Sequence, residues 1–284
     1  STMITCEEIY DLHTTGALES ALCEAYREIP LDSRNSMRKN DTPLHMACAF
    51  ADENAVRILL ERGADVNVRN DDGDTPLCVL AKRKCCGKET TIAGIAGLLV
   101  SKEARVPRSG KNTTALIEAV GNRHFLMADI LLMSGCRIDS TNSNGNNVLH
   151  VICQSAGDIA YDIKRTKERI ADFSERWYSE KDKREAYENM EYLEEADRQC
   201  FLTAKRILEN GQIDTEDKNN IGKTALDIAW ETGARRIGAL LSGQDPDTDE
   251  LSALIGGLDV FQALWYKDMI ALDAIFAIRN RIAK

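Results

Sequence analysis

The chain has 284 residues, of which 43% are hydrophobic and only 6% aromatic, enough for one large core or for a long stack of small units. A net charge of −10 and an isoelectric point near 5.1 argue against nucleic acid or an anionic membrane as partner, and no run approaches the ~18–20 apolar residues of a membrane span. Nine cysteines, odd in number and scattered through predicted helices, do not read as a disulfide framework, so the compartment is expected to be reducing and cytoplasmic.

In chain order, Glu7 to Arg27 comes first as a worn pair of helices. Leu18, Ala21, Leu22 and Ala25 share one face after Gly16, and the polar first helix suits an N-terminal cap over 3–35. The stretch from Asn40 to Asn70 is sharper. Thr42 stands where a helix cap is needed and Pro43 fits a first helical turn. Ala55, Val56, Leu59 and Leu60 form the buried stripe of a second helix, Gly63 supplies a left-handed stop, and Ala64-Asp65-Val66-Asn67 leads out. Neither short helix can bury its apolar face alone, so the unit requires neighbours of its own kind.

The Thr42-Pro43-Leu44-His45 opening, the paired leucines and the Gly63-Ala64-Asp65-Val66-Asn67 exit resemble an ankyrin repeat, whose period is about 33 residues. The resemblance implies an all-α, ankyrin-type solenoid of helix-turn-helix repeats with hairpin loops, used to hold other proteins. It extends along the chain. Asp71-Asp72-Gly73-Asp74-Thr75-Pro76-Leu77 opens a second unit with Ile95, Leu98 and Leu99 on its second helix, and with extra residues around Cys85-Cys86-Gly87-Lys88. Thr114-Ala115-Leu116, Ala119, Ala128, Leu131-Leu132 and Gly135 mark a third, and Asn147-Val148-Leu149-His150 opens a fourth.

The second helix of that fourth unit arrives only at Phe201-Leu202, after roughly forty extra residues. Ile159, Ile163, Thr166, Ile170, Phe173 and Trp177 step by fours and threes. So do Ala186, Met190, Leu193, Cys200, Ala204 and Ile207, with Asp197 as the one break. The insertion at 157–200 therefore reads as a projecting antiparallel helical hairpin, turning near Tyr178 to Asp182. Its seam aromatics Phe173, Trp177 and Tyr187 are expected to pack within it, with Tyr178 and Tyr192 exposed. Gly222-Lys223-Thr224-Ala225-Leu226 opens a fifth unit. Ala263, Ala271-Leu272 and Ile275-Phe276 suggest a degenerate C-terminal cap over 251–284. One solenoid over 1–284 is expected, with repeats at 36–69, 70–108, 109–141, 142–218 and 219–245.

The chemistry-bearing residues are read against that scaffold. Of four histidines (His13, His45, His124 and His150), His45 and His150 occupy the signature position where the family uses the imidazole to tie neighbouring loops. Cys85-Cys86 has no clustered His or Cys nearby, and no phosphate loop, nucleophile elbow or zinc motif appears. No catalytic, cofactor or metal site is expected. The resemblance implies a partner surface on the loop tips and the open face of each first helix. Matched by position, those residues are Arg38, Lys39, Asp41 and Phe50; Asp71, Asp72, Asp74, Lys82 and Arg83; Lys111, Thr113 and Asn122; Ser143, Asn144, Asn146 and Gln154; and Asn220, Ile221, Lys223 and Glu231. Phe50 and Ile221 are the apolar anchors of this mixed-sign strip. The expected function is a non-enzymatic module holding an unidentified protein, as a monomer. The alternatives are self-association through the hairpin, or the regulatory half of an enzyme.

Overall fold

The computed structural model describes residues 3–84, 87–104, 114–174 and 176–244. The expected C-terminal cap, Lys111, Thr113 and the Cys85-Cys86 pair lie outside them. Among the described residues the regular structure is helical, with two isolated antiparallel bridges, Asn35 to Asp41 and Thr141 to Asn147, in place of strands. No described helix is long and apolar enough to cross a membrane. The residues fall into two compact bodies, 3–104 with 133–136, and 114–132 with 137–244.

The first body contains α1 (Cys6–Thr14), α2 (Glu19–Glu28), α3 (Pro43–Ala49), α4 (Glu53–Glu61), α5 (Pro76–Ala81) and α6 (Glu89–Ser101). The sequence fixes these ends locally. Thr42 and Thr75 cap α3 and α5 through their hydroxyls, with Pro43 and Pro76 in the first turns. Asp52 Oδ1 accepts the Ala55 N–H at 2.9 Å to start α4. Helix α3 packs on α4 and α5, and α4 on α2 and α6, which buries Leu44, Leu59, Leu77, Ile92, Ile95 and Leu99. Where α6 has Lys102 instead of a stop glycine, Glu103 takes the left-handed turn at φ 66°.

The second body contains α7 (Ala115–Gly121), α8 (Phe125–Met133), α9 (Val148–Ala171), α10 (Glu180–Glu209), α11 (Ala225–Thr232) and α12 (Arg235–Leu241). Helices α9 and α10 run antiparallel. Asn189 donates to Thr166 Oγ1 at 3.1 Å in the outer part of the pair, and the Cys200 thiol lies 3.9 Å from the Ile152 carbonyl near its base. Of the heptad positions, Ile159 and Thr166 on α9 and Ala186, Met190, Leu193 and Cys200 on α10 are buried, while Ile163 and Ile170 are half-buried. The break at Asp197 is an ion pair, 3.0 Å from Arg236 on α12. Gly157 is required by packing. A Cβ there would lie 2.2 Å from the Thr232 side chain of α11, so the crossing of α9 and α11 depends on its absence.

The tip departs from the heptad reading. Trp177, expected in the seam, is 90% exposed, whereas Tyr178 packs on Phe173 with ring centroids 4.8 Å apart and donates to Asp172 at 2.8 Å. The cause is local. Helix α9 ends at Ala171 and a 3₁₀ turn follows over Asp172–Ser174, so the α-helical phase is lost before Trp177. Tyr187 touches the Phe173 edge at 6.1 Å but remains mostly exposed.

One buried charge carries a prediction. Asp129, inside α8, accepts from Thr203 Oγ1 at 2.9 Å and pairs with Arg206, both on α10. Burial outweighs those partners and pushes its carboxyl from 3.8 up to about 6. The folded chain thus holds this proton more tightly than the unfolded one. The resulting stabilisation is present below about pH 4 and is lost as pH rises through about 6. In Asp129→Asn the group no longer titrates. By calorimetry, the melting temperature of the wild type relative to the variant is expected to fall between pH 4 and 6 and to level off above 7. A flat difference across that window rules out the raised carboxyl.

Candidate partner-binding face

The loop tips of the first body are tied to one another. Asn70 is the hub: its side-chain oxygen accepts the N–H groups of Asp72 and Asp74, each at 3.0 Å, which folds its own turn. Its amide then reaches back to Asp41 of the preceding loop at 2.8 Å. Alongside, Asn40 donates to Asp71 at 2.8 Å, the Asp71 N–H donates to the Lys39 carbonyl at 2.7 Å, and Lys39 pairs with Asp72. Lys39 and Asn40 both adopt left-handed backbone at φ 54°, which presents the Lys39 carbonyl to the next loop.

The second body repeats the device. Asn142 accepts from the N–H groups of Asn144 at 3.0 Å and Asn146 at 3.1 Å, and Asn219 from those of Ile221 at 3.1 Å and Lys223 at 3.0 Å. Asn219 donates back to Asn146 at 2.9 Å, and Asn220 to the Ser143 carbonyl at 3.0 Å. Gly145 turns at φ +71° with Asn220 pressed against it. A Cβ there would come within 2.3 Å of the amide oxygen.

The histidines complete the tie. Thr42 N–H donates to His45 Nδ1 at 3.2 Å, which leaves Nε2 to donate to the Asp74 carbonyl at 2.8 Å. His150 Nε2 makes the same bond to the Lys223 carbonyl at 3.0 Å. Burial lowers the His45 pKa, so the ring stays neutral while it holds the loop.

The strip residues are therefore not equivalent. Asp71, Asp72, Ser143, Asn144 and Asn220 are exposed at the tips, and Ile221 is 72% exposed. Asp74 is not on the surface: it is buried against Lys82, whose ammonium lies 2.6 Å away. The burial follows from the His45 bond, which draws the Asp74 backbone inward. Phe50 is not a free anchor either. His13 of α1 stacks on its ring at 4.0 Å, and Tyr10 tilts against it at 5.6 Å. Arg38 lies over the Tyr10 ring, 3.8 Å from its centre, and Arg83 donates to the Ala49 carbonyl. In the second body, Gln154 is bonded to Asp158 at 2.9 Å, Asn122 to the Glu118 carbonyl at 2.9 Å, and Lys223 to Glu231.

Sequence reasoning missed Asn70, Asn142 and Asn219. The signal was present: an Asn stands five residues ahead of each helix cap, Thr75, Asn147 and Thr224. The described cysteines are free thiols, and among the described residues no three His, Cys, Asp or Glu side chains converge as a metal site.

The ankyrin repeat family model matches residues 39–71. Over 68 residues, 22% of this chain and 33% of the relative, the chain is 34% identical to ankyrin repeat-containing protein P1E11.10 of Schizosaccharomyces pombe. Over 201 residues, 66% of this chain and 20% of the relative, it is 26% identical to the phosphocholine transferase AnkX of Legionella pneumophila. The matched segments thus span about a third and a fifth of those proteins. The matched stretch holds the hydroxyl cap, the loop-tying histidine and the turn asparagine, and the second body builds the same three parts again. Residues 39–71 are thus an ankyrin repeat, and the helical fold around them is of the ankyrin type.

Proposed function

We propose that this chain is a non-enzymatic module that holds a partner protein on its loop tips and on the open faces of its first helices, and that it works in the cytoplasm as a monomer. The observation that supports this most is the state of the tips. Their backbone is held by asparagine and histidine bonds from loop to loop, while Ser143, Asn144 and Ile221 keep their side chains toward solvent and Asp71 and Asp72 stay exposed beside Asn40 and Lys39. A rigid tip with solvated side chains loses little entropy when it binds.

The test is affinity capture from native lysate with mass-spectrometric identification, repeated with Asp71→Lys/Asp72→Lys and with Ile221→Asp. The same protein is expected to be retained by the wild type and lost by both variants, with melting temperatures within a degree or two of wild type. Retention by both variants sinks the reading. The 201-residue match to a phosphocholine transferase favours a second reading, in which the chain is the binding part of an enzyme system. The two part on the captured partner's intact mass after incubation with this chain, which the first reading leaves unchanged.

A further inference from the structure

Arg165 and Arg169 stand one turn apart on the outer half of α9 and line two adjoining clefts of the helix pair, of about 400 and about 620 Å³. Both are exposed, and neither makes a hydrogen bond or ion pair with another described residue. The carboxylates around them are mostly engaged. Asp162 pairs with Arg123 at 2.8 Å, Asp172 accepts from Tyr178 at 2.8 Å with Arg176 at 3.6 Å, and Asp182 caps α10 through Ser179. Glu168 alone lines the second cleft without a partner. From 161 to 171 the helix carries Lys164, Arg165, Lys167 and Arg169 against Asp162 and Glu168. Like charges four residues apart disfavour a helix, and the chain as a whole is at −10. Beside the Ser179 bond, Arg169 helps to lower the Asp182 carboxyl through space, but no direct bond from another described residue holds either guanidinium group.

We propose that the cleft along α9 is a docking groove for an extended, acidic segment of another protein, gripped by Arg165 and Arg169. Four residues of helix rise by about 6 Å, and alternate side chains of an extended strand lie about 6.6 Å apart. Carboxylates at every second position therefore meet one guanidinium each, in the paired geometry that arginine favours. The Asn189 side-chain oxygen, across the groove, accepts no bond among the described residues and can receive a strand N–H. The opposite arm selects the class of partner. From 180 to 199, α10 carries eight carboxylates against four cations, which repels a broad anionic surface such as a duplex or a bilayer but not a slender strand lying on α9. This surface is separate from the loop tips, so the two readings stand or fall independently.

The test uses the full chain and a fluorescent octapeptide of alternating Ser and Asp, followed by anisotropy. Saturable binding that weakens with salt is expected. Arg165→Gln/Arg169→Gln is expected to lower affinity about tenfold or more, and Arg165→Lys/Arg169→Lys to fall between the two. Unchanged melting temperatures show that the helices persist in both variants. Ile221→Asp leaves peptide binding intact. Equal affinity in the Gln variant overturns the proposal. So does equal affinity for an octapeptide with its four Asp in one block, or binding only to anionic vesicles or duplex DNA.

Discussion

Leu59→Ala is expected to destabilise the first body by about 2–5 kcal/mol, one of the largest losses available to a single substitution here. Leu59 is fully buried on α4, and that helix packs against α2, α3 and α6, so truncation leaves a cavity shared by successive helix pairs. Alanine is the better helix former, but only by a few tenths of a kcal/mol, which does not offset the lost packing. The neighbouring Ile58 is half-buried, and its truncation is expected to cost clearly less. Urea or thermal unfolding of the two variants checks the ranking. An unmoved midpoint for Leu59→Ala shows that this side chain is not core.

Shortening α9 and α10 is expected to have opposite outcomes at two cut points. Replacing 167–188 by a Gly-containing turn removes only the outer arms and the tip. Ile159, Cys200, the Thr166–Asn189 bond and both base ion pairs, Arg123–Asp162 and Asp197–Arg236, all remain. The second body should stay folded, with helical circular dichroism falling in proportion to the residues removed. Replacing 158–199 also deletes Ile159 and Leu193 and leaves Arg123 and Arg236 without their acids. That is expected to cost about 3 kcal/mol or more. A folded product from the longer deletion shows that the base of the hairpin is no part of the core.

The elements that the letters disclose are those whose physics is local. Thr42-Pro43 sets a helix start by its own hydroxyl and ring, and Leu59-Leu60 sets a buried stripe by spacing, so both can be read without neighbours. Asp74 and Phe50 could not be read this way. One is drawn inward by a histidine 29 residues away and the other is covered by a cap helix, and no spacing rule carries that information. Trp177 failed for a different reason: heptad counting assumes an unbroken α-helix, and the 3₁₀ turn after Ala171 resets the phase. The turn asparagines were legible in part. Their own loops can be inferred from sequence, but the reach of Asn70 to Asp41 or of Asn219 to Asn146 needs the distance between loops. The surface charge of Arg165 and Arg169 was visible as letters, and only the geometry showed that neither is hydrogen-bonded or ion-paired to another described residue.

The loop-tying histidine bond spans 29 residues from His45 to Asp74 but 73 from His150 to Lys223. Closing the longer loop from an unstructured chain costs about 0.8 kcal/mol more in entropy. The helix pair removes that handicap by offering closures in order of length. Tyr178 reaches Asp172 across 6 residues, Asn189 reaches Thr166 across 23, and Cys200 reaches Ile152 across 48. Each closure shortens the free chain left for the next. The second body thus offers a route that closes from tip to base, with the His150 bond last and its loop already shortened by the closures before it.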